Sequence, residues 1–337
     1  MLIKLLELKN LNLGSDFYMN LALKEAWKYQ FLTYPNPAVG CLVLDKYGKI
    51  LSIKAHQKAG TFHAERLCVN EILEKYGKDA LKDSVFYVTL EPCSKQGRTP
   101  PCHELLIKYK VKEVNIGSSD SSQNGINELK QAGIKVNLGI LQDECDKLIA
   151  PFKFWLDNKP FVLFKLAINL NYNNEGSISN EYLRTYFHEI RTNIDYLIIC
   201  GNTLRLDNPM LDARYSTSKK APNLLVFSKY FQDLNSNFKS LNIFKTNREI
   251  IFGKNPLKLK DELQEQNIKF VMIEGGFNAL ELFKNQIDWL FLQQSNSTYK
   301  NSNNFKLSLS PIYQSTTKDF YNKPHEYQQF GFYEIRE

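Results

Sequence analysis

The chain has 337 residues, with 43 Lys and Arg against 36 Asp and Glu for a net charge of +7. That length exceeds one comfortable core and predicts two domains, and 43% hydrophobic with 23% charged residues is the balance of a soluble globular protein. The mild positive charge suits an anionic substrate such as a phosphate ester, the dispersed Lys and Arg argue against a nucleic-acid partner, and no stretch approaches the roughly 20 apolar residues of a membrane span.

The leucine-rich start, Met1 to Gly14, is broken by Lys4, Glu7 and Lys9 and lacks the apolar run and cleavage site of a secretory signal. It reads as a short extension of the first domain. From Asp16 to Gln30, Met19, Ala22, Leu23, Ala26 and Trp27 recur at helical spacing. Pro35 and Pro37 break the chain around Asn36. Val39–Leu44 reads as a buried strand, Asp45–Gly48 as a hairpin turn and Ile50–Ala55 as the partner strand. A helix follows from His63 to Tyr76, with Ala64, Leu67, Cys68 and Ile72 on one face. Ser84–Leu90 is a strand leading into Glu91-Pro92-Cys93. Pro100-Pro101 starts a helix over Cys102–Tyr109. Val111–Ile116 and Ile134–Leu138 are strands around a short helix at Glu128–Ala132.

The segment Pro151–Pro160 reads as the passage into the second domain, which divides the chain into residues 1–150 and 151–337. Phe161–Ile168 is an apolar strand interrupted by Lys165, and Asn169–Asn180 is a polar loop. Glu181–Asn193 is predicted helical, with strands at Tyr196–Gly201, Asn223–Phe227, Glu249–Phe252 and Lys269–Ile273. Glu274-Gly275-Gly276 opens a helix at Asn278–Asn285. Gln293–Tyr321 carries little signal. Alternating strands and helices predict an α/β fold in both halves, with a partly parallel sheet.

Two segments carry the chemistry: His63-Ala64-Glu65, and Pro92-Cys93 followed by Cys102. One imidazole and two thiolates satisfy zinc and leave a fourth position for water, whose pKa the ion brings near neutrality. A carboxylate two residues after the histidine is not a ligand; it moves protons between that water, a ring nitrogen and the leaving amine, the arrangement of zinc nucleobase deaminases. Either motif alone is weak. Their order on strand, helix, strand and proline-started helix makes the reading specific, with His63, Cys93 and Cys102 as metal ligands and Glu65 as catalytic proton shuttle. Cys68 is expected in the core. Cys41, Cys145 and Cys200 lack ligand-like neighbours, and scattered cysteines suit a reducing cytoplasm. His56 is open between a loop residue and a substrate contact, and His103 and His188 are expected on the surface.

The stretch Glu91-Pro-Cys-Ser-Lys-Gln-Gly-Arg-Thr-Pro-Pro-Cys102, with Pro35-Asn36-Pro37-x-Val39-Gly40, His56-Gln-Lys-Ala-Gly60 and His63-Ala-Glu65, resembles the deaminase domain of the bifunctional riboflavin biosynthesis family over about residues 15–150. The resemblance implies a cytidine-deaminase-like three-layer α/β/α domain that deaminates a diaminohydroxy-phosphoribosylamino-pyrimidine. It further implies Asn36 beside the ring, and Lys58, Arg98 and Thr99 in loops that face ribose or phosphate; solvated loop residues are the alternative for these three. The second half resembles the family's reductase domain, which implies a dihydrofolate-reductase-like α/β fold using NADPH to turn the ribosyl group into a ribityl chain. Lys165 matches the family's strand lysine, expected beside substrate and cofactor. Leu206-Asp207-Asn208-Pro209-x-Leu211-x-x-Arg214 resembles its substrate segment, which implies substrate contacts from Asp207, Leu211 and Arg214 and a cofactor contact from Asn208. Glu274-Gly275-Gly276 resembles the turn that approaches the dinucleotide phosphates, with a plain tight turn as the alternative. The resemblance favours a homo-oligomer, dimer or tetramer.

Departures are confined to the second half. Asn169-Leu-Asn-Tyr-Asn173 stands where the family has an Asp and a Gly, the loop beyond is short and lacks a Trp, and Gln293–Phe305 lacks the expected proline and glycine segment. A deaminase with a degenerate reductase-like domain, kept for assembly or nucleotide binding, is therefore the alternative. Two further readings compete. A tRNA- or nucleobase-editing deaminase is disfavoured by the long Cys93–Cys102 gap and the Pro-Asn-Pro loop. A structural zinc module needs a fourth protein ligand, and none stands out.

Overall fold

The computed structural model describes residues 14–97, 100–169, 179–228, 240–295, 308–317 and 328–336. The N-terminal extension, Arg98, Thr99 and most of the loop after Lys165 lie outside the described residues. The chain divides into two compact units, one ending at Phe152 and one starting at Lys153.

The first unit is built on a five-stranded sheet of β1 (Gly40–Leu44), β2 (Ile50–Ala55), β3 (Val85–Leu90), β4 (Glu113–Ser118) and β5 (Lys135–Leu138), in the order β2-β1-β3-β4-β5. β1 runs antiparallel to both neighbours, whereas β3, β4 and β5 are parallel. Helix α1 (Ser15–Trp27) packs on one face so closely that a Cβ on Gly40 would lie 2.0 Å from the Ala22 carbonyl oxygen, which only glycine permits. The opposite face is covered by α2 (Ala64–Tyr76), α3 (Cys102–Lys108) and α4 (Gly125–Gln131), whose Cys68, Val69, Ile72, Leu106 and Leu129 form one apolar cluster with Cys41, Val43, Phe86 and Ile116. The result is an α/β/α sandwich.

Helix α5 (Gln142–Leu156) carries the chain out of the first unit. It replaces the passage expected over Pro151–Pro160: Pro151 lies inside it, at a position where the ring removes one helical donor without ending the helix.

The second unit has an eight-stranded sheet in the order β12-β13-β11-β6-β10-β7-β8-β9. Its strands are β6 (Phe161–Ile168), β7 (Tyr196–Cys200), β8 (Asn223–Phe227), β9 (Ile250–Phe252), β10 (Phe270–Glu274), β11 (Trp289–Gln294), β12 (Leu309–Thr316) and β13 (Gln329–Ile335). The strands from β11 to β9 are parallel, and β13 and β12 add an antiparallel edge. The helices are α6 (Glu181–Arg191), α7 (Gly201–Asp207), α8 (Leu259–Glu265) and α9 (Phe277–Phe283). One face packs Phe164, Ile198, Leu225 and Ile273 against Leu263, Leu280 and Phe283 of α8 and α9. On the other, Phe187 of α6 meets Phe291 edge-on at 4.6 Å between ring centroids.

The strands predicted over 161–168 and 223–227 have the observed bounds. Helices α7 and α8 and strands β12 and β13 were not anticipated. β12 reads poorly because Pro311 sits at an irregularity in its register, the position where an edge strand tolerates proline.

Candidate active sites of the two units

His63 is the N-cap of α2, in extended backbone, and Glu65 falls in the helix's first turn. Cys93 follows β3 and Cys102 opens α3 behind Pro101. These three elements bring His63 Nδ1 to 3.5 Å from the sulfurs of both Cys93 and Cys102, and the three donor atoms lie within 4.8 Å of one another. Zn–S and Zn–N bonds of tetrahedral geometry place sulfur and nitrogen about 3.6 Å apart, so the donor set fits zinc. Hydrogen bonds centred on Cys93 hold the loop: the Cys102 amide donates to Cys93 Sγ at 3.3 Å, and the His103 amide and ring Nδ1 both reach the Cys93 carbonyl. His103 is therefore buried behind the ligand loop, a correction to the surface position expected for it. The Cys102 thiol, ahead of His63, brings the Cys93 pKa down to about 4.

Glu65 is 3% exposed, and burial raises its pKa against the opposing pull of His63. It lines a cavity of ≈ 150 Å³ together with His63, Cys93, Asn36 and His56. Asn36 and His56 are joined there, Nδ2 to Nε2 at 3.3 Å, and His56 is 2% exposed with its pKa lowered by burial. His56 thus belongs to the cavity wall. Sequence reasoning gave no site role to Glu91, Asp120, Gln123 and Phe152, which also line the cavity. Glu91 is a buried strut whose carboxylate accepts from the Asp120 and Ile126 amides at 3.1 and 3.0 Å. Lys58 is exposed and outside the lining; its carbonyl accepts from the Thr61 hydroxyl at 2.7 Å. Arg98 and Thr99 lie outside the described residues.

In the second unit a cleft of ≈ 500 Å³ opens at the carboxyl ends of β6, β7 and β10, where open α/β sheets take ligands. Lys165, Asp207, Leu211, Arg214, Glu274, Gly275 and Gly276, all singled out from sequence, line it. Lys165 and Glu274 are direct partners across β6 and β10. Burial lowers the Lys165 pKa, with Glu274 opposing, and the Lys165 ammonium lies 5.4 Å from the Phe187 ring centroid. Burial alone would raise Glu274, but Arg191 and then Lys165 outweigh it and bring its pKa to about 2. The Arg191 guanidinium grips Glu274 with two bonds of 3.0 and 2.6 Å. Asn208 is placed differently from expectation: left-handed at φ 38°, it accepts from the Asn242 amide at 2.8 Å and is not among the cleft-lining residues. Both of its oxygens accept from Asn242, which ties the end of α7 to the stretch that begins there. Gly275 has a steric reason of its own, since a Cβ there would lie 2.6 Å from Ala279 Cβ. His188, expected on the surface, is 7% exposed beside Arg191, and burial followed by Arg191 lowers its pKa to about 4. Neither Arg191 nor His188 was identified from sequence; their place on the buried stripe of α6, opposite a strand that ends in Glu274, was the available signal.

Residues 15–118 match the cytidine and deoxycytidylate deaminase zinc-binding region, and residues 168–288 match the RibD C-terminal domain. The riboflavin biosynthesis protein RibD of Aquifex aeolicus is 31% identical over 278 residues, which cover 79% of this chain and 76% of that one. This chain belongs to the RibD family of riboflavin biosynthesis proteins. The RibD of Actinobacillus pleuropneumoniae is 37% identical over 223 residues, 63% of this chain, and the matched stretch spans 58% of that relative's length. The crystal structure of a diaminohydroxyphosphoribosylaminopyrimidine deaminase/5-amino-6-(5-phosphoribosylamino)uracil reductase from Thermotoga maritima shares the fold, with a TM-score of 0.68 over 96% of this chain and 99% of that chain at 24% identity.

The RibD assignment agrees with the family and the α/β class expected from the sequence motifs. The zinc-binding region of the match contains His63, Glu65, Cys93 and Cys102, and the RibD C-terminal match contains Arg191, the 207–214 segment and Glu274. No helix among the described residues is long and apolar enough to cross a membrane.

Proposed function

We propose that this RibD-family chain catalyses two successive steps of riboflavin biosynthesis on a phosphorylated pyrimidine: hydrolytic deamination in the first unit, then NADPH-dependent conversion of the ribosyl group to a ribityl chain in the second. The observation that carries the reading is the convergence of His63, Cys93 and Cys102 on one point beside the buried Glu65.

His63 Nδ1 and the two cysteine sulfurs would hold zinc. The ion, when bound, supplies a Lewis acid with an open position for water. Glu65 takes a proton from the attacking water and returns it to the departing amine, so that water enters and ammonia leaves. A carboxyl with a raised pKa is suited to that exchange near neutral pH. Asn36, oriented by His56, presents its remaining amide groups to the edge of the ring.

In the second unit Lys165, Gly275 and Gly276 would hold NADPH, which supplies the hydride. Their position at the carboxyl edge of the parallel strands supports this role. Glu274 fixes Arg191 and places a negative charge beside Lys165. Arg214, exposed and paired with Asp212 at 2.8 Å, offers a cation to the substrate phosphate at the mouth of the cleft. The same reading carries a cytoplasmic homo-oligomer, and six free cysteines suit that reducing compartment.

The test is an assay of zinc-loaded protein with the phosphoribosylated diaminopyrimidine, following ammonia release and NADPH oxidation separately. Both signals are expected. Ammonia without oxidation would overturn the reductase half in favour of a deaminase with a degenerate second domain. No ammonia from folded, zinc-bound protein would overturn the substrate.

A further inference from the structure

We infer that Arg248, just ahead of β9 and outside the motifs singled out from the sequence, is a positioning residue that sets the conformation of the 207–214 segment and hence the affinity of the second unit for its pyrimidine. The inference rests on the reductase reading of that cleft.

The segment follows α7 as irregular chain, with two non-glycine residues in left-handed backbone, Asn208 at φ 38° and Leu211 at φ 48°. Leucine adopts that region only where its surroundings impose it. The surroundings are specific. Arg248 Nη2 donates to the Met210 carbonyl at 2.7 Å, and Nη1 donates to the Leu211 carbonyl at 2.7 Å. Arg191 Nη1 takes the next carbonyl, Asp212, also at 2.7 Å. Three successive carbonyls are thus held by two guanidinium groups that approach from different elements. Arg248 is itself braced, its Nε donating to Thr246 Oγ1 at 2.7 Å. A short 3₁₀ turn at Asn242–Lys245 adds the Asn242–Asn208 pair, so the stretch from Asn242 to Arg248 anchors the segment at its start and at its middle.

The consequence falls on the cleft. Met210, Leu211 and Arg214 line it, and Leu211 is 6% exposed, packed in place by the fold of its own backbone. The planar fork of arginine spans two adjacent carbonyls, whereas a lysine ammonium on a flexible stem does not reproduce that geometry. Removing Arg248 leaves Arg191 as the tether on Asp212 and lets the chain around Leu211 relax out of the left-handed region.

The experiment uses the full zinc-loaded chain, with Arg248→Ala and Arg248→Lys beside wild type. Hydrogen exchange is followed over residues 209–215, and NADPH oxidation over a range of pyrimidine concentrations. Arg248→Ala is expected to speed exchange in that segment and to raise the KM for the pyrimidine about tenfold, as loss of charge-assisted bonds implies, with kcat and the KM for NADPH changed less than about threefold. Arg248→Lys is expected to fall between the two. Ammonia release, unchanged in both variants, reports that the first unit is folded, and the retained kcat of NADPH oxidation reports the same of the second. Unaltered exchange and unaltered KM in both variants would overturn the inference while leaving the reductase reading intact. A wild-type chain that oxidises no NADPH would overturn that reading and the inference with it.

Discussion

The ring of His56 stands between Asn36 and the Phe62 carbonyl, with Nε2 3.3 Å from Asn36 Nδ2 and Nδ1 3.1 Å from Phe62 O. A carbonyl only accepts, so Nδ1 carries the proton and Nε2 accepts from the Asn36 amide. That chain of donors fixes which way Asn36 faces in the cavity. His56→Ala is expected to raise the deaminase KM about tenfold through loss of this orientation, with zinc content unchanged. Steady-state ammonia release at several substrate concentrations measures it; an unchanged KM would separate His56 from the site.

Glu65 and Cys93 should part company under mutation. Glu65→Gln keeps the metal and loses proton transfer, so ammonia release is expected to fall by about 10²–10⁴-fold at full zinc occupancy. Cys93→Ala loses zinc and deamination together, as does treatment of the wild type with a strong chelator. NADPH oxidation with the deaminated substrate survives all three. Metal analysis alongside both assays checks the set, and a zinc-replete, inactive Cys93→Ala would contradict its role as ligand.

Gly125 opens α4 beside the ligand loop, and a Cβ there would lie 2.0 Å from the Pro92 carbonyl oxygen. Backbone cannot yield cheaply at that distance. Gly125→Ala is expected to displace Pro92 and, with it, Cys93, lowering zinc affinity and costing about 1–3 kcal/mol of stability. Normal zinc content at normal melting temperature would show that the loop adapts.

Arg191 and Glu274 are a largely buried, two-bond ion pair with side chains 12% and 14% exposed. Arg191→Met strands the carboxylate beside Lys165 and is expected to destabilise the protein by about 3–5 kcal/mol. Adding Glu274→Gln should recover part of that loss, because the orphaned charge is removed. Denaturant unfolding of the single and double variants measures the recovery, and strict additivity would deny the pairing.

The same cluster predicts acid sensitivity. His188 falls from 6.5 to about 4 in the fold, so it is neutral there while the unfolded chain takes up a proton. Its contribution is complete above pH 6.5 and is lost as pH falls toward 4. Glu274, lowered from 4.5 to about 2, adds stability above pH 4.5 that is lost as pH falls toward 2. Melting temperature is expected to drop in both windows. His188→Gln, which does not titrate, should flatten the upper one; an unchanged profile in that variant would remove His188 as the cause.

Much of the first unit is legible in sequence because its chemistry is local. Residues 63 and 65 share one helix end, and Pro100-Pro101 fixes where α3 begins. Buried strands such as 161–168 announce themselves by apolar runs, here interrupted only by Lys165. The edge strand β12 and its neighbour β13 do not: half-exposed positions carry mixed residues, and the pairing of β13 with β11 and of β12 with β13 stabilises them more than their own propensity does. The two histidines expected on the surface show the same limit, since burial of a polar ring depends on partners such as the Cys93 carbonyl and Arg191 that are remote or one helical turn away.

By itself, then, the order of residues singled out His63, Cys93 and Cys102 as a group the fold brings together, the α/β alternation and the family, all of which are carried by short motifs and by spacing along a helix or strand. Tertiary structure alone decided which groups those residues face. The joining of Asn36 to His56, of Arg191 to Glu274 and of Arg248 to the Leu211 carbonyl spans 20, 83 and 37 positions of chain. Hydrogen bonds depend on direction and on distances near 3 Å, and no local pattern of residue types encodes a geometry that only the packed sheets and helices impose.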